Sequence, residues 1–134
     1  MSIFYERAKE LRAIAVPHYN CAQSVVIPFA EAKGVDTETA YRFAANFGGG
    51  MKRGSVCGAI TGGLMALGLY GADDPAIVAE YHERIKASHN GMTDCRALLD
   101  ANAAAGGDKK QHCDAVVLEC VGLVEELLKK NGKL

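Results

Sequence analysis

The sequence predicts an all-α fold, a compact single-domain bundle of six to seven helices around a central glycine-rich apolar helix. Apolar residues recur at helical spacing from the start, as at Phe4, Ala8 and Leu11. No stretch alternates apolar and polar residues for long enough to favour a β-strand. Because a chain of 134 residues has the length of one domain, we predict that residues 1–134 form one all-helical domain.

The first half of the chain has clear signals for where helices begin and end. Pro17 ends the first predicted helix, because proline cannot donate its backbone nitrogen to a preceding turn. Asn20, with Gln23 three residues later, is close to a capping box and begins a second helix. Pro28 lies inside this helix, so we expect a kink or a break near Val26.

The central stretch, residues 47–71, holds most of the chain's 15 glycines. A third helix begins at Asp36 or Thr37 and leads into it. Three consecutive glycines open a loop, and an apolar helix follows from about Ser55 to Leu69. Glycine is costly inside helices, so we interpret this helix as one whose small face lets other elements come close.

Three further helices are predicted after the central stretch. Residues 73–75, Asp-Asp-Pro, are a strong helix start, with a cap and a proline in the first turn. Thr93 or Asp94 caps a short helix that ends near Leu99. We expect a flexible loop at residues 101–108 and a last helix at about residues 110–130.

Composition excludes several classes of function. The net charge is −1, from 15 basic and 16 acidic residues, so no basic surface favours nucleic acid. The longest apolar run, residues 56–71, is short and rich in glycine, so we expect no membrane insertion. The N-terminus lacks the apolar core of a signal peptide, and a cytoplasmic location is the default expectation. Five cysteines in that compartment should be thiols, metal ligands or a transient redox pair.

Four of the five cysteines share one property, since each lies within the first turn of a predicted helix. They are Cys21, Cys57, Cys95 and Cys113. A helix N-terminus carries a partial positive charge, which favours a thiolate. The pairs Lys52-Arg53 and Lys109-Lys110 add positive charge near Cys57 and Cys113. This placement favours reactive or metal-bound thiols.

The spacing of these cysteines leaves several kinds of chemistry open. No CxxC pair is present, so any shared site must be assembled by the fold. Such a site could bind an iron–sulfur cluster or zinc, or exchange thiols and disulfides without metal. In a further alternative the thiols only pack in the core of a helical binding or oligomerising module. No catalytic residue is assigned, and whether the protein is an enzyme stays open.

Other residues that could bind metal are interpreted as structural. Cys120 lies in the middle of the last helix, two turns after Cys113, and is expected to pack in the core. The histidines form no recognised pair and are interpreted as solvated or core side chains. They are His18, His82, His89 and His112.

Four parts of the chain together form a recognisable pattern, namely NCAQSV at residues 20–25, FGGGMKRGSVCGAITGGLMALGL at 47–69, CRALL at 95–99, and Cys113. The second of these contains CGAITG at residues 57–62. In this pattern the chain resembles a family of redox-active proteins of bacteria and archaea, the C_GCAxxG_C_C family, named for a CGAxxG motif. The family name records four cysteines, and these match Cys21, Cys57, Cys95 and Cys113 here.

The resemblance implies a redox function with an unknown redox partner. A similar domain stands at the end of split-Soret cytochromes, where it is associated with an iron–sulfur cluster. By that resemblance the four cysteines would be cluster ligands, although this chain has no CxxCH for attaching haem. The small face formed by Gly58, Gly62 and Ala66 could also pair with a second subunit, which would make the protein a homo-oligomer.

Overall fold

Seven α-helices form the regular structure of residues 2–134, which the computed structural model describes. Their bounds are α1 Ile3–Ala13, α2 Cys21–Ala32, α3 Thr37–Ala44, α4 Gly58–Leu69, α5 Pro75–Ser88, α6 Cys95–Ala104 and α7 Lys109–Lys130. A short 3₁₀ turn at Ala45–Phe47 and an irregular turn at Gly50–Gly54 connect α3 to α4. The all-α prediction is confirmed.

Polar side chains hold the helix starts where the sequence predicts them. The Asn20 side chain accepts a hydrogen bond from the Gln23 backbone N–H, and the Gln23 side chain accepts one from the Asn20 N–H, which completes the capping box. Asp36 caps α3, and Asp74 caps α5 with Pro75 in its first turn. Each cap satisfies a backbone donor that has no partner inside its helix.

The crossing of α2 and α4 forms the centre of the bundle. Every residue of α2 from Ala22 to Ala30 is buried, and its helix continues through Pro28, so the predicted break does not occur. A Cβ atom on Gly62 would lie only 2.6 Å from the Ala22 carbonyl oxygen. This close approach explains why α4 contains glycine at this position. It also means that α2 already covers the small face of Gly58, Gly62 and Ala66 that could otherwise pair with a second subunit.

Aromatic side chains fill the core on either side of this crossing. The Phe4 and Phe29 rings stack with centroids 4.4 Å apart, and the Tyr70 hydroxyl donates a hydrogen bond to the Phe29 carbonyl at 2.9 Å. On the other side, the buried Tyr81 hydroxyl donates to the Ile60 carbonyl at 2.9 Å and lies directly over Gly63. A side chain larger than hydrogen at position 63 would displace this tyrosine.

The C-terminal helices differ from the predicted ones in their bounds. Helix α6 continues to Ala104, so half of the expected flexible loop at residues 101–108 is helical. Helix α4 begins at Gly58 rather than near Ser55, because Val56 pairs with Asp94 in an isolated β-bridge and Cys57 is the N-cap residue. The long helix α7 packs against α1, α2, α4, α5 and α6. No helix within residues 2–134 combines the length and apolarity needed to cross a membrane.

Candidate functional site

The starts of α2, α4 and α6 meet the first turns of α7 around a small cavity of about 20 Å³. Four cysteines line it, namely Cys21, Cys57, Cys95 and Cys113. The cavity has roughly the volume that one water molecule requires. The structure therefore brings together the four cysteines that the sequence singles out, although they come from four separate chain segments.

Backbone hydrogen bonds fix Cys57 and Cys95 beside each other. The Cys57 N–H donates to the Thr93 carbonyl at 2.9 Å, and the Cys95 N–H donates to the Ser55 carbonyl at 2.7 Å. These bonds form an isolated antiparallel bridge at the position where two chain segments run into α4 and α6. Because both donors are main-chain groups, the register of the two cysteines does not depend on side-chain rotamers.

Glycines bring Cys21 close to the start of α4. A Cβ atom on Gly58 would lie 2.8 Å from the Phe47 carbonyl oxygen and 3.4 Å from Cys21 Cβ. A Cβ atom on Gly48 would lie 2.6 Å from Cβ of Asn20, the residue that caps α2. Only glycine permits such close contacts, so these two positions set the distance between the Cys21 and Cys57 segments.

The loop before α4 winds in the left-handed sense. Gly49, Gly50, Met51 and Lys52 all have positive φ, between 56° and 64°. A non-glycine residue in this region costs about 1–2 kcal/mol, so Met51 and Lys52 store backbone strain. A Cβ atom on Gly50 would lie 2.7 Å from Cys95 Cβ. The strained turn therefore packs directly against the site.

Cys113 lies one turn further into its helix than predicted. Because Asp108 caps α7 and Lys109 is its first residue, Cys113 is in the second turn. The next residue, Asp114, accepts a hydrogen bond from Arg12 Nε at 2.7 Å and another from Lys110 Nζ at 2.9 Å. Arg12 on α1 is thereby fixed near two of the thiols.

The Cys21 and Cys113 thiols each change the pKa of the other. The Cys21 thiol can donate a hydrogen bond to the Cys113 thiolate, and this interaction lowers the pKa of Cys113 to about 6, with further help from the positive charges of Arg12 and Lys109. The same interaction raises the pKa of Cys21. The first proton of the pair therefore leaves Cys113, which is ionised at neutral pH.

The other two thiols are protonated, contrary to the expectation that helix N-termini would favour four thiolates. Burial raises the pKa of both Cys57 and Cys95. Loss of hydration opposes ionisation more strongly than the partial charge of a helix end favours it. The Lys52-Arg53 pair is exposed and does not stabilise a thiolate at Cys57. Lys52 Nζ instead donates a hydrogen bond to Asn46 Oδ1 at 3.0 Å.

Cys120 lies away from this cavity, as predicted. Its side chain is fully buried in the core and adjoins Tyr81. Burial raises the pKa of the Cys120 thiol even though the Tyr81 hydroxyl favours the thiolate. A protonated, fully enclosed thiol is a packing residue.

His112 is a site residue that the sequence interpretation missed. It lines the cavity with the four cysteines, and burial lowers its pKa. The nearby His89 ring nitrogen Nε2 lies 2.8 Å from Glu119 Oε1. The only sequence signal for His112 was its position next to Cys113. Nothing in the sequence indicates that Arg12 lies at the site, because about 100 residues separate it from Asp114, its ion-pair partner.

Comparison with known proteins gives one match. The sequence profile of a family described as "Putative redox-active protein (C_GCAxxG_C_C)" matches residues 19–127, which is most of the chain. The chain belongs to this family. The matched region contains all four cysteines of the cavity. Neither curated proteins nor solved structures gave a match.

The side chains as placed do not form a preassembled site for a metal ion. Across residues 2–134, no group of three or more His, Cys, Asp or Glu side chains is positioned to hold one, and all five cysteines are free thiols. Family membership thus supports a redox-active protein, and the nature of the redox group is a matter for proposal.

Proposed function

We propose that Cys21, Cys57, Cys95 and Cys113 bind an iron–sulfur cluster, or another thiophilic metal such as zinc, and that the protein transfers electrons. One observation carries this proposal: four thiols from four chain segments line the same cavity. Thiolates are the usual protein ligands of iron–sulfur clusters, commonly four per cluster. Cysteines that only pack would not need to converge from four segments.

The donor set and its surroundings fit such a group. Three of the four cysteines, Cys21, Cys95 and Cys113, also line a larger open groove of about 460 Å³. Because the cavity itself is small, binding would include a rearrangement of the thiol side chains. Gly49 lines both spaces, so this residue adds no side chain to the space beside the thiols that would hold a cluster. A bound cluster would supply one-electron transfer.

The experiment is metal analysis of protein purified without oxygen, together with a UV–visible spectrum. We expect iron, acid-labile sulfide and charge-transfer absorption in the wild-type protein. Replacing any one of the four cysteines with serine should reduce metal content severely. Cys120→Ser is the matched control and should retain it, because Cys120 lies outside the cavity. Equal metal content in all five variants would refute the proposal.

A second function, metal-free thiol–disulfide exchange, is favoured by the placement of Cys21 and Cys113 in the same cavity and groove, where each changes the pKa of the other. Here the Cys113 thiolate attacks an external disulfide, and one thiolate leaves. Cys21 gives its proton to the thiolate that left and then attacks the mixed disulfide, and the second thiolate is released and takes a proton from water. The two cysteines are oxidised to one disulfide, while the external disulfide is reduced to two thiols.

Mild oxidation with glutathione disulfide separates this function from metal binding. We expect a Cys21–Cys113 linkage, identified by mass spectrometry of peptides, in protein that contains no iron or zinc. Oxidation to a mixture of disulfides that includes Cys120 would instead indicate unfolding. If metal is absent and no cysteine pair forms, the cysteines act in packing alone.

A further inference from the structure

The larger groove beside the cysteine cavity is a space of about 460 Å³. Its walls come from the end of α1, the loop before α2, α6 and the first turns of α7. Small-molecule sites in proteins commonly enclose about 300–1,000 Å³. The groove is thus large enough for a small organic molecule, and one of its sides is formed by three cysteines of the site.

Positive charge predominates in this groove. Arg12, Lys109 and Lys110 line it, and no carboxylate side chain does. Asp114, just outside, pairs with Arg12 and Lys110. Within the part of the chain that the structure describes, Lys109 forms no ion pair and no side-chain hydrogen bond. The groove therefore has three cationic groups against two anions, the Asp114 carboxylate and the Cys113 thiolate.

Part of the groove wall is apolar. Ala13, Ile14 and Leu99 form this part, and the polar side chains of His18 and Asn20 also line the groove. A ligand that matched both features would have an apolar body and an anionic group. A ligand that was only charged would leave the apolar wall in contact with water, and one that was only apolar would leave the surplus positive charge of the groove unpaired.

We propose that the groove binds a small organic anion, a carboxylate, sulfonate or phosphate on an apolar body, and holds it beside Cys95 and Cys113. Lys109 recognises the anionic group, and the wall of Ala13, Ile14 and Leu99 contacts the body. This inference concerns binding alone. It rests on Lys109 and the apolar wall and not on the thiols, so its failure is distinct from failure of the proposed function.

The test uses two fluorescent probes with nearly the same aromatic body. One is 8-anilinonaphthalene-1-sulfonate, which carries an anionic group, and the other is N-phenyl-1-naphthylamine, which is uncharged. The wild-type protein, as purified and at low salt, should bind the sulfonate more tightly than the uncharged probe. Lys109→Gln should weaken sulfonate binding about three- to tenfold, the size of one partly exposed charge interaction, and leave binding of the uncharged probe unchanged.

Control variants separate the groove from other surfaces. Lys86→Gln removes an exposed lysine on α5 and should change neither affinity. Leu99→Asp should weaken binding of both probes, since it alters the apolar wall. Equal affinity for the two probes in the wild-type and Lys109→Gln proteins would overturn the proposal. Sedimentation as a dimer that excludes both probes would also overturn it, because a second copy would then occupy the groove.

Discussion

Two cysteines on the same helix have opposite chemical environments. Cys113 and Cys120 lie two turns apart on α7, yet Cys113 lines the cavity and the groove while Cys120 is enclosed in the core. The pKa of Cys113 is lowered to about 6 by its interaction with Cys21, and burial raises the pKa of Cys120. Both residues are cysteines of the same helix, so their different pKa values come from the groups that surround them.

The two thiols differ in the polarity of their surroundings and in their access to open space. Around Cys113 the neighbours are charged residues, including Arg12 and Lys109, and partly open space. Around Cys120 they are the apolar side chains of the central core and the Tyr81 ring. A thiol at the end of the bundle where α2, α4 and α6 begin can therefore ionise, whereas a thiol in the middle of the bundle contributes to core packing.

A carboxylate placed at each position should produce the largest contrast. Cys120→Asp buries a charge without a cationic partner and should destabilise the fold by more than about 3 kcal/mol. Cys113→Asp places the same group near Arg12 and Lys109 and should change the free energy of unfolding by less than about 1 kcal/mol. Urea denaturation of both variants measures this. Similar losses would show that the two sites are equally closed to water.

Two glycines of α4 provide a contrast of intermediate size. Gly62→Ala places a Cβ atom 2.6 Å from the Ala22 carbonyl oxygen, so the α2–α4 crossing must open, at a cost of about 1–3 kcal/mol. Gly68→Ala in the same helix meets no atom within 4 Å and should be neutral or slightly stabilising. Thermal or urea unfolding compares them. A loss in Gly68→Ala as large as that in Gly62→Ala would contradict the close-packing argument.

The smallest predicted effect is a shift in the pH dependence of one thiol. In metal-free protein the alkylation rate of Cys113 should rise with pH around a midpoint near 6, because the thiolate is the nucleophile and predominates above the pKa. Cys21→Ala removes the hydrogen-bond donor and should move the midpoint upward, toward the ordinary thiol value of about 8.5. Peptide mass spectrometry after timed iodoacetamide labelling measures it.

Cys120→Ala is the control for this experiment and should leave the midpoint of Cys113 in place, since Cys120 does not interact with it. An unchanged midpoint in Cys21→Ala would mean that Arg12 and Lys109 alone hold the pKa of Cys113 down. That result would also remove the argument for a Cys21–Cys113 redox pair.

The helices could be predicted from the sequence alone, because their signals are local. Asn20 with Gln23 and Asp74 with Pro75 satisfy or remove backbone donors within one turn, so a short window of residues is enough to predict them. The all-α class follows for the same reason. The sequence also placed Cys21, Cys57 and Cys95 at helix starts, since each follows a capping signal or the glycine loop.

The chemical environment of the site, in contrast, depends on contacts between distant parts of the chain. The interaction of Cys113 with Cys21 and Arg12 joins residues about 100 positions apart, and no local pattern encodes it. The left-handed turn around Met51 is likewise held by packing against α6, against the backbone preference of non-glycine residues. Capping depends on near neighbours in the chain, whereas burial and electrostatic interaction depend on neighbours in space, and those exist only after folding.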